Sequence, residues 1–197
     1  MAYLAGESDD DMIIPVPQFN MITGGRHASN EVSFQEFTII PTGAQNYREA
    51  VQIGVEVYLE LTAIIQKKNV NFTNVGMDGG LAPNFSSNEE CITHILEAVN
   101  NTGHSEKVQL GIDAGASKFY YQDKKIYDMN YKRKSQPSDN YSIDDMLIYY
   151  RNLLEKYPII SLEDPFDQND WEGYQEITKL LGENVKKILK HFFRFKL

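Results

Sequence analysis

Residues 157–174 read YPIISLEDPFDQNDWEGY. The apolar run Ile159–Leu162 follows Pro158 and stops at Glu163-Asp164-Pro165, which gives it the length and punctuation of a buried strand. Behind it a helix is predicted from about Asp170 to Leu181, with Trp171, Tyr174, Ile177 and Leu181 on one side and Gly182 as the stop. A strand that ends in an acid and leads into an amphipathic helix is half of a βαβ unit, and the rest of the chain is searched for more of them.

Upstream the pattern repeats. Ser142 opens a helix with Met146, Tyr149, Tyr150, Leu153 and Leu154 facing inward. Val108–Ile112 (VQLGI) is a strand that terminates at Asp113. Ser87 and Glu90 have capping-box spacing ahead of Ile92, Ile95, Leu96 and Val99, and Gly103 ends that helix. A long helix from about Asn46 to Lys67 carries Tyr47, Val51, Val55, Tyr58, Thr62 and Ile65 at helical spacing. Before it come two extended runs, Gln35–Ile40 and Ile14–Ile22, the latter with Pro15 and Pro17 and ending near Gly24-Gly25. The order ββααβαβα implies a mostly parallel sheet covered by helices. The polar stretch 122–140 reads as a surface excursion containing a turn or short hairpin.

Composition narrows the function. Hydrophobic residues make up 42% of the 197, enough for a core. A net charge of −9 argues against nucleic-acid binding, which needs basic surface. The single cysteine, Cys91, permits no internal disulfide and fits a reducing, cytoplasmic setting. The N-terminus resembles no signal or transit peptide, and no run is long enough for a membrane span.

Two strands end in an acid, Asp113 and Glu163, and a third begins Gln35-Glu36. In parallel α/β barrels the strand ends form the active-site mouth, and acids gathered there suit a hard divalent cation such as Mg²⁺. The alternative is local: an acid after a strand often caps the next helix. Spacing leaves both open.

Six stretches carry a resemblance: PVPQFNMITGGRHA (15–28), QEFTIIPTGA (35–44), GMDGGLAPN (76–84), SNEECITHILEAV (87–99), IDAGASKFY (112–120) and YPIISLEDPFDQNDWEGY (157–174). In order and spacing they resemble the enolases, the phosphopyruvate hydratases, over roughly residues 12–185. The resemblance implies an incomplete TIM-type (β/α)8 barrel of the enolase superfamily, its first four strands with their helices. It also implies Mg²⁺-dependent dehydration of 2-phosphoglycerate to phosphoenolpyruvate in glycolysis. By resemblance Asp113 and Glu163 are two of three Mg²⁺ ligands. His27 contacts substrate, Glu36 is a carboxylate near substrate and the leaving hydroxyl, and Asp78 stands where the family has a second, glutamate, carboxylate. A homodimer, or association with an intact enolase, is the expected assembly.

Several positions depart from the family. Its GDEGG reads GMDGG here, so Met77 and Asp78 replace an aspartate and a glutamate. Thr23, Arg26 and Lys118 are also unusual. No counterpart is found for the third metal ligand or the base lysine, so the chain as written is expected to be inactive alone. A non-catalytic enolase-derived partner or a decayed, truncated product is the alternative. Three segments are expected: an acidic lead at 1–11, the partial barrel at 12–185, and a divergent basic tail at 186–197. That tail, KKILKHFFRFKL, holds five of the nineteen Lys and Arg and no acid. It reads as foreign to the barrel, or as a basic amphipathic helix. His94 and His104 read as ordinary surface residues, and Cys91 as a buried helix residue.

Overall fold

The computed structural model describes residues 14–68, 74–181 and the backbone of 186–188. The acidic lead, the stop at Gly182 and the tail beyond residue 188 lie outside the described residues.

A five-stranded sheet has the spatial order β1-β2-β3-β7-β8, with β1 Phe19–Thr23, β2 Glu36–Ile40, β3 Gln109–Asp113, β7 Ile159–Glu163 and β8 Lys186–Ile188. The pairs β1–β2 and β2–β3 are antiparallel, while β3–β7 and β7–β8 are parallel. The mostly parallel sheet expected from the element order is therefore corrected: β2 runs against both neighbours. The reason lies in the connection. No α-helix lies between β1 and β2, and the crossover that a parallel neighbour needs is usually helical. The described sheet is open, as an incomplete barrel is. Lys186–Ile188 extends it as a strand, which corrects the helical reading of the tail at those three residues.

Helices α1 (Tyr47–Lys67), α2 (Asn88–Asn101), α3 (Ile143–Lys156) and α4 (Trp171–Leu181) lie where the pattern puts them. Their starts are chemically specified. Asn46 and Ser87 accept from the backbone N–H groups of Glu49 and Glu90. Ser142 and Asp145 form a reciprocal capping box. Glu90 does not complete the expected box, because its carboxylate accepts from the N–H and hydroxyl of Ser86 instead.

The face of α1 differs from the expected one. Ala50, Ile53, Val57, Leu61 and Ile64 are buried, whereas Tyr47 and Val55 are each 52% exposed. Gly54 explains the rotation. A Cβ there would lie 2.9 Å from the Phe19 ring, so the missing side chain lets β1 press against this side of the helix. On α4, Tyr174 and Ile177 are buried but Trp171 is 61% exposed. His94 is also corrected: it is buried, stacks on Phe85 at 4.5 Å, and its Nε2 lies 2.9 Å from Lys68 Nζ.

The stretch between β3 and α3 forms a second, three-stranded antiparallel sheet of β4 (Tyr120–Tyr121), β5 (Ile126–Asp128) and β6 (Asn140–Tyr141). Its centre is buried rather than peripheral. The Tyr127 hydroxyl donates to Asp170 Oδ2 at 2.5 Å and accepts from the Asp167 N–H, while Asp170 Oδ1 caps α4 at Gly173. The Tyr150 hydroxyl donates to the Pro165 carbonyl.

Burial pushes the phenols of Tyr127, Tyr149, Tyr150 and Tyr174 well above the ordinary tyrosine value, with the Asp170 contact adding to it at Tyr127. The folded chain thus keeps protons that the unfolded chain would release. The stability this contributes is whole below the unfolded tyrosine value near pH ~10 and is lost as pH rises through the folded ones. In an alkaline titration followed by phenolate absorbance, the phenols of Tyr127, Tyr149, Tyr150 and Tyr174 are expected to ionise only together with loss of helical circular dichroism. Smooth ionisation of all twelve tyrosines without unfolding is the contrary result.

Candidate active site

The sheet register assembles the acids. Thr23 pairs with Glu36, Glu36 with Asp113, Asp113 with Glu163, and Glu163 with Ile188, so one row crosses all five strands. Residues in one row project from the same face, which puts carboxylates on three adjacent strands at one rim. Because β2 is reversed, Glu36 begins its strand while Asp113 and Glu163 end theirs, yet all three reach the same edge.

Asp113 is 2% exposed. Its Oδ1 accepts from the Gly115 N–H at 2.9 Å, and its Oδ2 from Gln35 Nε2 at 3.3 Å. The helix-capping alternative is thus replaced by a turn that closes two residues on, where Gly115 adopts φ +54°. Glu163 is half-buried. The next residue, Asp164, has φ +44°, a left-handed conformation that Asp tolerates better than most side chains. The carbonyls of Glu163 and Asp164 accept from Ala114 and Ala116, which stitches the turn after β7 to the one after β3.

His27 lies on the loop between β1 and β2. Its Nδ1 is 2.5 Å from Asp78 Oδ2 and 4.0 Å from Glu36 Oε1. Two adjacent glycines shape this approach. Gly25 has φ +53°, and a Cβ on Gly24 would sit 2.4 Å from the Phe34 carbonyl oxygen. Asp78 comes from the loop after α1, whose Met77 N–H donates to the His27 carbonyl at 3.4 Å. The shorter Asp78 therefore still reaches His27. Met77 itself is 83% exposed.

The five candidate residues thus fall into two sets that share Glu36. One is the row Glu36, Asp113 and Glu163. The other is His27, Glu36 and Asp78, whose ligand-type atoms all lie within 4.8 Å of one another. The row offers oxygen donors alone, the donor type that a hard cation of the Mg²⁺ type takes. An imidazole between two carboxylates can carry a proton between them.

Two residues of this neighbourhood escape sequence reasoning. Gln35 binds Asp113 through its side chain, and its N–H donates to the Asp113 carbonyl. Lys132 reaches into the His27 loop with its ammonium 2.6 Å from the Gly25 carbonyl. The strand alternation offered a weak signal for Gln35. Nothing marked Lys132, which sits in the basic run Lys132-Arg133-Lys134 and reads as solvated surface.

A helix-backed sheet that delivers acids from neighbouring strands to one rim defines the α/β-barrel class with its site at the strand ends. Residues 11–192 match the family described as Enolase, C-terminal TIM barrel domain. Over 188 residues the chain is 45% identical to the enolase of Solanum lycopersicum, an alignment that covers 94% of this chain and 42% of that protein. The chain belongs to the enolase C-terminal TIM barrel family. It spans about two-fifths of the length of that relative. The family match continues to residue 192, past the point near Val185 where the motif resemblance fades. Among the described residues no helix is long and apolar enough to cross a membrane.

Proposed function

We propose that these residues form one side of a site for the Mg²⁺-dependent dehydration of 2-phosphoglycerate to phosphoenolpyruvate. The row of Glu36, Asp113 and Glu163 across three adjacent strands carries the reading. Asp113 and Glu163 would hold the cation, which when bound supplies positive charge beside the substrate carboxylate. His27, in contact with Asp78, orients the substrate. Glu36 and Asp78 lie where a proton must be delivered to the departing hydroxyl. The elimination removes a proton from C2 and hydroxide from C3, and the hydroxide leaves as water once it is protonated.

The lysine that takes the C2 proton and the third metal ligand come, by resemblance, from strands for which this sequence offers no counterpart. The 197-residue chain is accordingly read as inactive by itself, and pairing with a second copy or with an intact enolase is part of the same proposal. Cytoplasmic glycolysis is its setting.

Titration calorimetry with Mg²⁺ is the test. Weak binding is expected, with its heat abolished in Glu163→Gln and in Asp113→Asn while both variants keep native circular dichroism. Binding left intact in both variants would remove the assigned ligands. Phosphoenolpyruvate formation by the purified chain, lost in Glu163→Gln, would overturn the reading of inactivity.

A further inference from the structure

We propose that Lys132 is a positioning residue: its ammonium holds the loop between β1 and β2 closed, in the conformation that carries His27 to Asp78 and Glu36. Lys132 follows β5, a hundred or more positions along the chain from the residues it binds. Its Nζ lies 2.6 Å from the Gly25 carbonyl, 3.0 Å from that of Ala28, 3.3 Å from that of Val32 and 3.3 Å from Asn30 Oδ1. All four acceptors belong to one loop, and they flank His27 on both sides. An ammonium has three donors and no acceptor, so it satisfies a ring of inward-turned oxygens that no neutral aliphatic side chain could.

Other hydrogen bonds hold the loop too, among them Glu31 N–H to Asn84 Oδ1, Ser33 Oγ and Phe34 N–H to Asn88 Oδ1, and Met77 N–H to the His27 carbonyl. Gly25 donates to Val32 across its neck, Asn30 Nδ2 donates to the carbonyls of Thr23 and Pro83, and the next basic residue, Arg133, pairs with Glu31. Burial pushes the Lys132 pKa down to about 8, against the pull of Glu31 the other way. The side chain therefore keeps its charge at neutral pH.

The word positioning rests on the substrate-facing reading of His27, but the clasp itself does not, and the test needs neither substrate nor turnover. Hydrogen exchange is measured by mass spectrometry on the full chain, together with tryptic cleavage after Arg26, which is exposed within the loop. In Lys132→Met, amides of residues 24–33 are expected to exchange at least about tenfold faster, and cleavage after Arg26 to accelerate, because hydrogen bonds to a charged donor are lost. Amides of β2, β3 and α1 should keep their native rates. Aminoethylation of Lys132→Cys restores an ammonium at nearly the same reach and is expected to restore slow exchange; Cys91 is buried and spared. Unchanged loop exchange overturns the proposal, and so does an equal rise across the whole core. Failure of both Lys132→Met and Lys132→Gln to fold overturns it too, since the ammonium would then hold the fold rather than the loop. Loss of Mg²⁺ binding would leave this outcome untouched, so the two readings fail separately.

Discussion

Phe34→Ala is expected to lower the free energy of unfolding by about 3–5 kcal/mol, the usual cost of deleting a buried aromatic ring. Phe34 is fully buried and sits at the hub of an aromatic cluster. Its ring centroid lies 6.3 Å from Phe37, 6.1 Å from Phe119, 5.9 Å from Tyr149 and 6.0 Å from Tyr150. Those partners come from β2, from the segment after β3 and from α3, so no single neighbour can move in to refill the space. A domain of this size has a net stability of only about 5–15 kcal/mol, so the variant should unfold at much lower urea concentration with an unchanged slope. Phe34→Leu keeps most of the volume and should lose under about 1.5 kcal/mol. Equal losses for the two variants would show that ring packing is not what holds the cluster.

Gly24→Ala is expected to cost the folded state about 2 kcal/mol or more, although it adds one methyl group. The new Cβ would lie 2.4 Å from the Phe34 carbonyl oxygen and 2.8 Å from Val32 Cγ1. The first of these is a backbone atom, and it cannot rotate away. The loop must shift, and the contact between His27 and Asp78 should go with it. Gly79→Ala is the control. There φ is +84° and no atom lies within 4 Å of the added carbon, so only conformational strain of about 1–2 kcal/mol remains. Denaturant unfolding of both variants, with the His27 ring resonances followed by NMR, separates the two causes. A Gly24→Ala variant no less stable than Gly79→Ala, with His27 unmoved, would contradict the geometry.

Much of this architecture was legible from short signals. The runs that became β2, β3 and β7 were apolar and ended cleanly. Asn46, Ser87 and Ser142 marked helix starts because a side-chain oxygen before a periodic stretch has little else to do. Asp113, Glu163 and Glu36 stood out because they sat at strand ends. The face of α1 was not legible, because Tyr47 and Val55 keep helical spacing on the side that stays wet, and only the approach of Phe19 to Gly54 decides between faces. The reversal of β2 was hidden as well, since an apolar run looks the same in either direction. Lys132 and His94 were misread for one reason. Each is a polar residue whose burial depends on oxygens, rings or charges supplied from distant parts of the chain, and no local pattern encodes that.

The reversed second strand has a consequence for the order of assembly. Twelve residues separate β1 from β2, whereas forty-five separate β3 from β7. The entropy of closing a loop grows with its length, by about 0.6 kcal/mol per doubling, and local pairings are reached sooner during folding. The hairpin carrying His27 and Glu36 can therefore form while the chain between Asp113 and Glu163 is still searching. The side of the rim that carries His27 and Glu36 is a local product of the early chain, and the side that carries Asp113 and Glu163 waits for a long-range encounter.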